Sequence, residues 1–196
     1  MRTHGSSLRH DPVSMSDARR AFAAHPVAAF LATGLGSGLS PFAPGTAGSA
    51  VGLALAWLLA SRLSAAHASI LMVAVGLLMS GLAIGLLGVA VSGPVCEALG
   101  AKDPGCIVID EVAGQLFASA AVPFLVPPSL SVRAAVVWVL SFVLFRFFDV
   151  VKPGPIARLQ DLPGGWGVVA DDVAGGIAAA AVLGGLGFLA SRLGWV

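Results

Sequence analysis

The stretch ASILMVAVGLLMSGLAIGLLGVAVS, residues 68–92, carries no charged side chain and shows no alternation of apolar and polar positions. A strand with one buried face would alternate with period two. A bilayer core about 30 Å thick is crossed by roughly 20 helical residues, so this segment reads as a membrane span. Working outward from it, comparable apolar runs cover about 48–66, 106–126, 132–148 and 168–193, giving five spans in all. The composition agrees: of 196 residues 57% are hydrophobic and 11% charged, with a mean hydropathy of +0.93. A water-soluble domain carries about 25% charged residues, more than twice that share. The expected fold is all-α, a polytopic membrane helix bundle of about five spans with a short N-terminal re-entrant or interfacial segment.

Residues 1–26 are polar, carry Arg2, Arg9, Arg19 and Arg20, and read as a cytoplasmic tail, with DARRAFAA (17–24) suited to the interface. Residues 27–196 read as one membrane-embedded domain. The run at 27–40 is short and broken by glycines, which argues against a cleaved signal peptide. In PFAPGTAGS (41–49) the prolines and glycines are expected to interrupt the helix and form a re-entrant or interfacial loop. Orientation follows from the basic residues. With the N-terminus inside, that side holds Arg2, Arg9, Arg19, Arg20, Lys102, Arg146, Lys152 and Arg158, against Arg62, Arg133 and Arg192 on the other. Five spans then put the C-terminus outside.

Other classes are excluded cheaply. A net charge of +1 lacks the basic face of a nucleic-acid binder. Cys96 and Cys106 have no metal-ligand spacing, and the abundant glycine, 25 residues, suits helices packed backbone to backbone. Trp57, Trp138, Trp166 and Trp195 read as interface anchors or packing residues.

Once this topology is drawn, the unusual polar residues fall in one layer. PGTAGS opens the first span there, Asp110 and Glu111 open the third, Arg146, Asp149 and Lys152 close the fourth, and Asp171 and Asp172 open the fifth. Each group has a plainer explanation: carboxylates favoured by a helix dipole, or an i,i+3 ion pair snorkelling at the lipid boundary. Together the five acids exceed Arg146 and Lys152 by three charges, and charges near hydrocarbon are costly unless compensated. Carboxylate oxygens without imidazole or thiolate suit Mg²⁺, which takes one or two carboxylates and fills its shell with water and phosphate oxygens. Asp110, Glu111, Asp171 and Asp172 are the expected metal ligands. Those four and Asp149 form the expected catalytic set, in which water is the nucleophile and a carboxylate accepts its proton. Arg146 and Lys152 would hold phosphoryl oxygens, with Thr46 and Ser49 adding donors at a helix N-terminus. Gln115, one turn from Glu111, is expected to orient it. Gly114, Gly175 and Gly176 lie one turn after Asp110, Asp171 and Asp172 and would let the helices approach closely.

The motifs ATGLGSGLSP and PGTAGS (32–49), IDEVAGQ (109–115), FRFFDVVKPGPI (145–156) and GGWGVVADDVAGG (164–176) together resemble the phosphatidylglycerophosphatase A family of bacterial membrane phosphatases. The resemblance implies Mg²⁺-dependent hydrolysis of the terminal phosphate of phosphatidylglycerophosphate in the bacterial inner membrane, with the active site facing the cytoplasm. It carries the acidic positions onto Asp110, Glu111, Asp149, Asp171 and Asp172 and the basic ones onto Arg146 and Lys152. Phe42 departs from it, standing where some relatives would be expected to have a basic residue. A phosphatidyltransferase acting on CDP-linked lipid would also place aspartates and Mg²⁺ at this face, but its DG, AR and paired-aspartate spacing is absent. An ion-coupled transporter would place its acids near the bilayer midplane.

Overall fold

A computed structural model describes Arg19 and residues 22–194, so most of the expected polar tail, and Trp195, lie outside the described residues. The described chain is helical and contains no strand. The first helix, α1 (Pro26–Ala32), is about 10 Å long at 1.5 Å per residue, far short of a bilayer. It ends in a tight turn, and Gly34, Leu35 and Gly36 all take positive φ before a 3₁₀ turn at Ser37–Leu39. Ala29 and Ala32 are buried against Val95 and Ile107, and the Val108 N–H donates to the Ala32 carbonyl.

Helix α2 (Pro44–Ala65) starts earlier than the expected residue 48. Pro44 occupies the first turn, where its missing N–H would have had no helical partner, so part of the expected loop is helix. Helix α3 (Ile70–Leu99) is capped by Ser69, whose hydroxyl accepts from the Met72 N–H, and stops at Gly100 in the left-handed region. It runs through Pro94 to Leu99, where a polar linker was expected after residue 92; Val95, buried against α1, holds this extra length in place. Helix α5 (Val132–Val151), the short α6 (Ile156–Leu159) and α7 (Gly165–Arg192) complete the outer bundle.

Among the described residues four helices, α2, α3, α5 and α7, are long and apolar enough to cross a membrane. The run expected at 106–126 is not one long helix. It forms α4 (Ile109–Ser119), 11 residues long, and a 3₁₀ turn at Val122–Phe124. Eleven residues rise only about 17 Å. The helical bonding stops ahead of Pro123, which has no N–H to continue it.

Helix α4 is the axis of the bundle, packed by α2, α3, α5 and α7. Every residue from Ile109 to Ser119 except Glu111 is buried. The large apolar side chains instead cover the outside: Leu71, Met72, Val136, Val139 and Phe188 are all more than half exposed. In water such a surface would aggregate, so its natural solvent is lipid. The first turns of α2, α4 and α7 and the last turns of α3 and α5 share one end. At the other end Leu125, beyond the 3₁₀ turn, packs against Gly187 near the close of α7.

Candidate active site

The first turn of α4 supplies Asp110 and Glu111, where unpaired N–H groups and the helix dipole favour negative charge. Helix α7 supplies Asp171 and Asp172 from its second turn. Glycines bring the two helices into contact. A Cβ on Gly114 would lie 2.7 Å from the Asp172 carbonyl oxygen, and one on Gly176 would run into the Gly114 carbonyl. The crossing therefore needs bare backbone one turn below the acids, as the glycine spacing suggested. Its result is that single oxygens of Asp110, Glu111 and Asp172 lie within 4.8 Å of one another. Asp110 and Asp172 are 6% and 2% exposed, so water contributes little to separating their charges.

The basic residues face other acids. Arg146 Nη1 pairs with Asp149 Oδ2 at 2.5 Å, one turn along α5, and donates to Ser49 Oγ at 3.2 Å. Ser49 Oγ in turn donates to the Gly45 carbonyl at 2.8 Å. Gly45 itself is held close: an added Cβ would strike Glu111 Oε1 and lie 3.1 Å from Arg146 Nη1. The loop-to-helix entry of α2 is thus moulded onto the cluster, a role for Gly45 that its spacing alone did not reveal.

Lys152 was expected to close the fourth span together with Arg146 and Asp149. It instead caps α5 in the left-handed region at φ 44°, just before Pro153, and this turns its side chain toward α7. Its Nζ donates to Asp171 Oδ2 at 2.5 Å. Burial alone would lower the Lys152 pKa, but Asp171, with Asp172 and Asp149 behind it, outweighs burial and raises it. The ammonium stays charged.

Both cations therefore form their ion pairs with acids outside the trio, and among the described residues Asp110, Glu111 and Asp172 make none. Asp110 Oδ1, Glu111 Oε2 and Asp171 Oδ1 are buried without a hydrogen-bond partner. In the trio itself, hard carboxylate oxygens converge from two helices with no nitrogen or sulfur donor among them, a donor set that suits a small divalent cation. Of the four acids expected to bind metal, Asp171 stands apart from the trio, on Lys152. Ser49 joins the constellation, whereas Thr46 is exposed on the first turn of α2. Gln115 does not reach Glu111. Its Nε2 donates to Ser119 Oγ at 3.1 Å and Ser141 Oγ at 3.4 Å, tying α4 to α5.

Comparison with known proteins follows the same residues. A family model described as phosphatidylglycerophosphatase A matches residues 30–186. A Haemophilus influenzae protein called phosphatidylglycerophosphatase A is 39% identical over 155 residues, covering 78% of this chain and 84% of its own. A Bacteroides thetaiotaomicron protein, whose description as a phosphatidylinositol-3-phosphatase is provisional, is 33% identical over 75% of this chain and 85% of its own. An Escherichia coli phosphatidylglycerophosphatase A is 34% identical over 78% of this chain and 79% of its own. No solved structure matches the chain.

Proposed function

The chain belongs to the phosphatidylglycerophosphatase A family, and from that premise we propose that it hydrolyses phosphatidylglycerophosphate to phosphatidylglycerol and phosphate at the Asp110–Glu111–Asp172 cluster, with Mg²⁺ as cofactor. The observation that carries this reading is the trio of carboxylates within 4.8 Å, whose formal excess of negative charge meets no ion pair among the described residues. Mg²⁺ held by these three carboxylates would offset that excess and polarise the phosphoryl oxygens.

The remaining steps belong to the chain. Arg146 spends Nη1 on Ser49 and Asp149, leaving its other donors for two phosphoryl oxygens. Lys152 uses one of three protons on Asp171 and keeps two. Water attacks phosphorus, the bond from phosphorus to the glycerol oxygen breaks, and that oxygen takes a proton from water at the wet face. The attacking water gives its proton to Asp171, whose Oδ1 has no partner.

The membrane setting fits a lipid substrate. Its acyl chains lie along the exposed apolar faces while the phosphomonoester reaches the polar end. In this reading residues 109–126 make a fifth crossing, combining α4, the 3₁₀ turn and extended chain. The end bearing Lys102, Arg146, Lys152 and Arg158 faces the cytoplasm of a bacterial inner membrane.

The experiment is phosphate release by purified protein in mixed micelles. The substrates are phosphatidylglycerophosphate, phosphatidylinositol 3-phosphate and phosphatidic acid, each with Mg²⁺ or with excess chelator. Phosphatidylglycerophosphate should be turned over fastest, and only with Mg²⁺. Undiminished release in chelator would remove the metal; faster release from another lipid would reassign the substrate.

A further inference from the structure

The end of the bundle away from the acids has a feature of its own. A cavity of about 660 Å³ opens between the start of α5, the last turns of α7 and the 3₁₀ turn at Val122–Phe124. That volume falls within the roughly 300–1,000 Å³ of small-molecule sites. Leu125, Val137, Leu140, Leu183 and Leu186 make an apolar wall, and the exposed Arg133 and Ser191 line it too. Phe188 completes the lining, and the Arg192 guanidinium sits over its ring, 5.1 Å from the centroid. A second cation is therefore fixed beside the same opening.

Neither arginine has an acid on its own helix within reach. Residues 112–148 and 173–194 contain no Asp or Glu, so α5 up to Asp149 and α7 beyond Asp172 carry only positive charge. Among the described residues Arg133 and Arg192 make no ion pair. An apolar cleft with two guanidiniums by it that make no ion pair among the described residues is complementary to a molecule with an acyl chain and an anionic phosphate.

We propose that this cleft binds one anionic phospholipid of the leaflet opposite the acid cluster, its acyl chain against Leu140 and Leu186 and its phosphate held by Arg133 and Arg192. The site is separate from the one that acts on phosphate and needs no assumption about the reaction. Gly184 leaves room for the chain: it lines the cavity, and a Cβ built on it meets no atom within 4 Å.

Native mass spectrometry of the full-length protein in detergent tests this, with added phosphatidylglycerol or phosphatidylcholine of identical acyl chains. Wild type should retain one phosphatidylglycerol in preference to phosphatidylcholine. Arg133→Gln should cut that preference about tenfold, the worth of one charge-assisted hydrogen bond. Gly184→Leu, whose side chain grows into empty space, should displace both lipids. Equal retention of the two headgroups, unaffected by Arg133→Gln, would mean only a nonspecific lipid shell and overturn the proposal. A lipid-free dimer in place of the lipid adduct would overturn it as well, assigning the cleft to a second copy. Arg133 is exposed, so its variant tests the site even if Gly184→Leu fails to fold.

Discussion

Replacing Asp172 with asparagine should push stability in opposite directions with and without Mg²⁺. Asp172 faces Asp110 and Glu111, with one oxygen of each inside 4.8 Å. Where both members of a pair are ionised, two charges 4.8 Å apart repel by about 3.5 kcal/mol at an effective dielectric constant near 20. Asparagine removes two such repulsions at nearly unchanged shape. If relaxation and water penetration leave about 1–3 kcal/mol of the relief, the melting temperature in chelator rises by about 2–10 °C for a chain of this length. With Mg²⁺ the order reverses. A ligand at a hundred times its dissociation constant stabilises by about 2.7 kcal/mol, and a trio reduced to two carboxylates forfeits most of that. The assay is intrinsic-fluorescence melting of both proteins in detergent, in chelator and across a Mg²⁺ titration. Wild type should gain with Mg²⁺, and Asp172→Asn should start higher and respond little. A variant less stable than wild type in chelator, or equally responsive to Mg²⁺, would refute the claim that these three acids share a cation.

Arg146→Lys keeps the charge but loses the fork that serves Ser49, Asp149 and phosphate together, so kcat/KM should fall about 10- to 100-fold, mostly through KM; a fall confined to kcat would argue against a phosphate-holding role. Gly45→Ala puts a methyl against Glu111 Oε1, and turnover should drop at least about tenfold, within the range that small misplacements of a site cost, while melting temperature shifts little. Wild-type turnover there would show that the entry of α2 can move aside. The Lys152 pKa is raised above the ordinary 10.5, so its pairing with Asp171 stabilises the fold fully below that value and is lost as pH climbs through the raised one. Wild type should therefore lose melting temperature above pH 10.5 more steeply than Lys152→Gln, and parallel curves would contradict the pairing.

The sequence made the convergence of Asp110, Glu111 and Asp172 legible because alternating spans deliver helix starts and helix ends to one layer, whatever the details of packing. The glycines one turn below them were legible for the same reason: spacing of three or four places residues on one face. What stayed hidden depended on events that periodicity does not encode. Residues 112–126 carry no charged side chain, so hydropathy alone runs through Pro123 and merges a short axial helix with the 3₁₀ turn after it. Lys152 looked continuous with Arg146 and Asp149 because nothing in a three-residue spacing announces a left-handed cap. Gln115 lay one turn from Glu111 but also opposite Ser141, and the buried hydroxyl across the helix interface took its amide.

The two ends of the bundle differ in a way that joins these observations. Among the described residues Glu97, Asp103, Asp110, Glu111, Asp149, Asp161, Asp171 and Asp172 all lie toward the end where α4 begins, against Arg19, Lys102, Arg146, Lys152 and Arg158. By net charge that end is negative, yet it holds the larger share of the described lysines and arginines among the loops and helix ends. The orientation rule depends on cations and gives acids little weight, so the same end can be cytoplasmic by insertion and anionic by charge. Three of those acids make no ion pair among the described residues, and the divalent ion proposed for them would serve folding as much as catalysis. At the opposite end Arg62, Arg133 and Arg192 make no ion pair among the described residues. One end calls for a cation and the other for an anion, and a membrane of anionic phospholipid bathed in Mg²⁺ contains both.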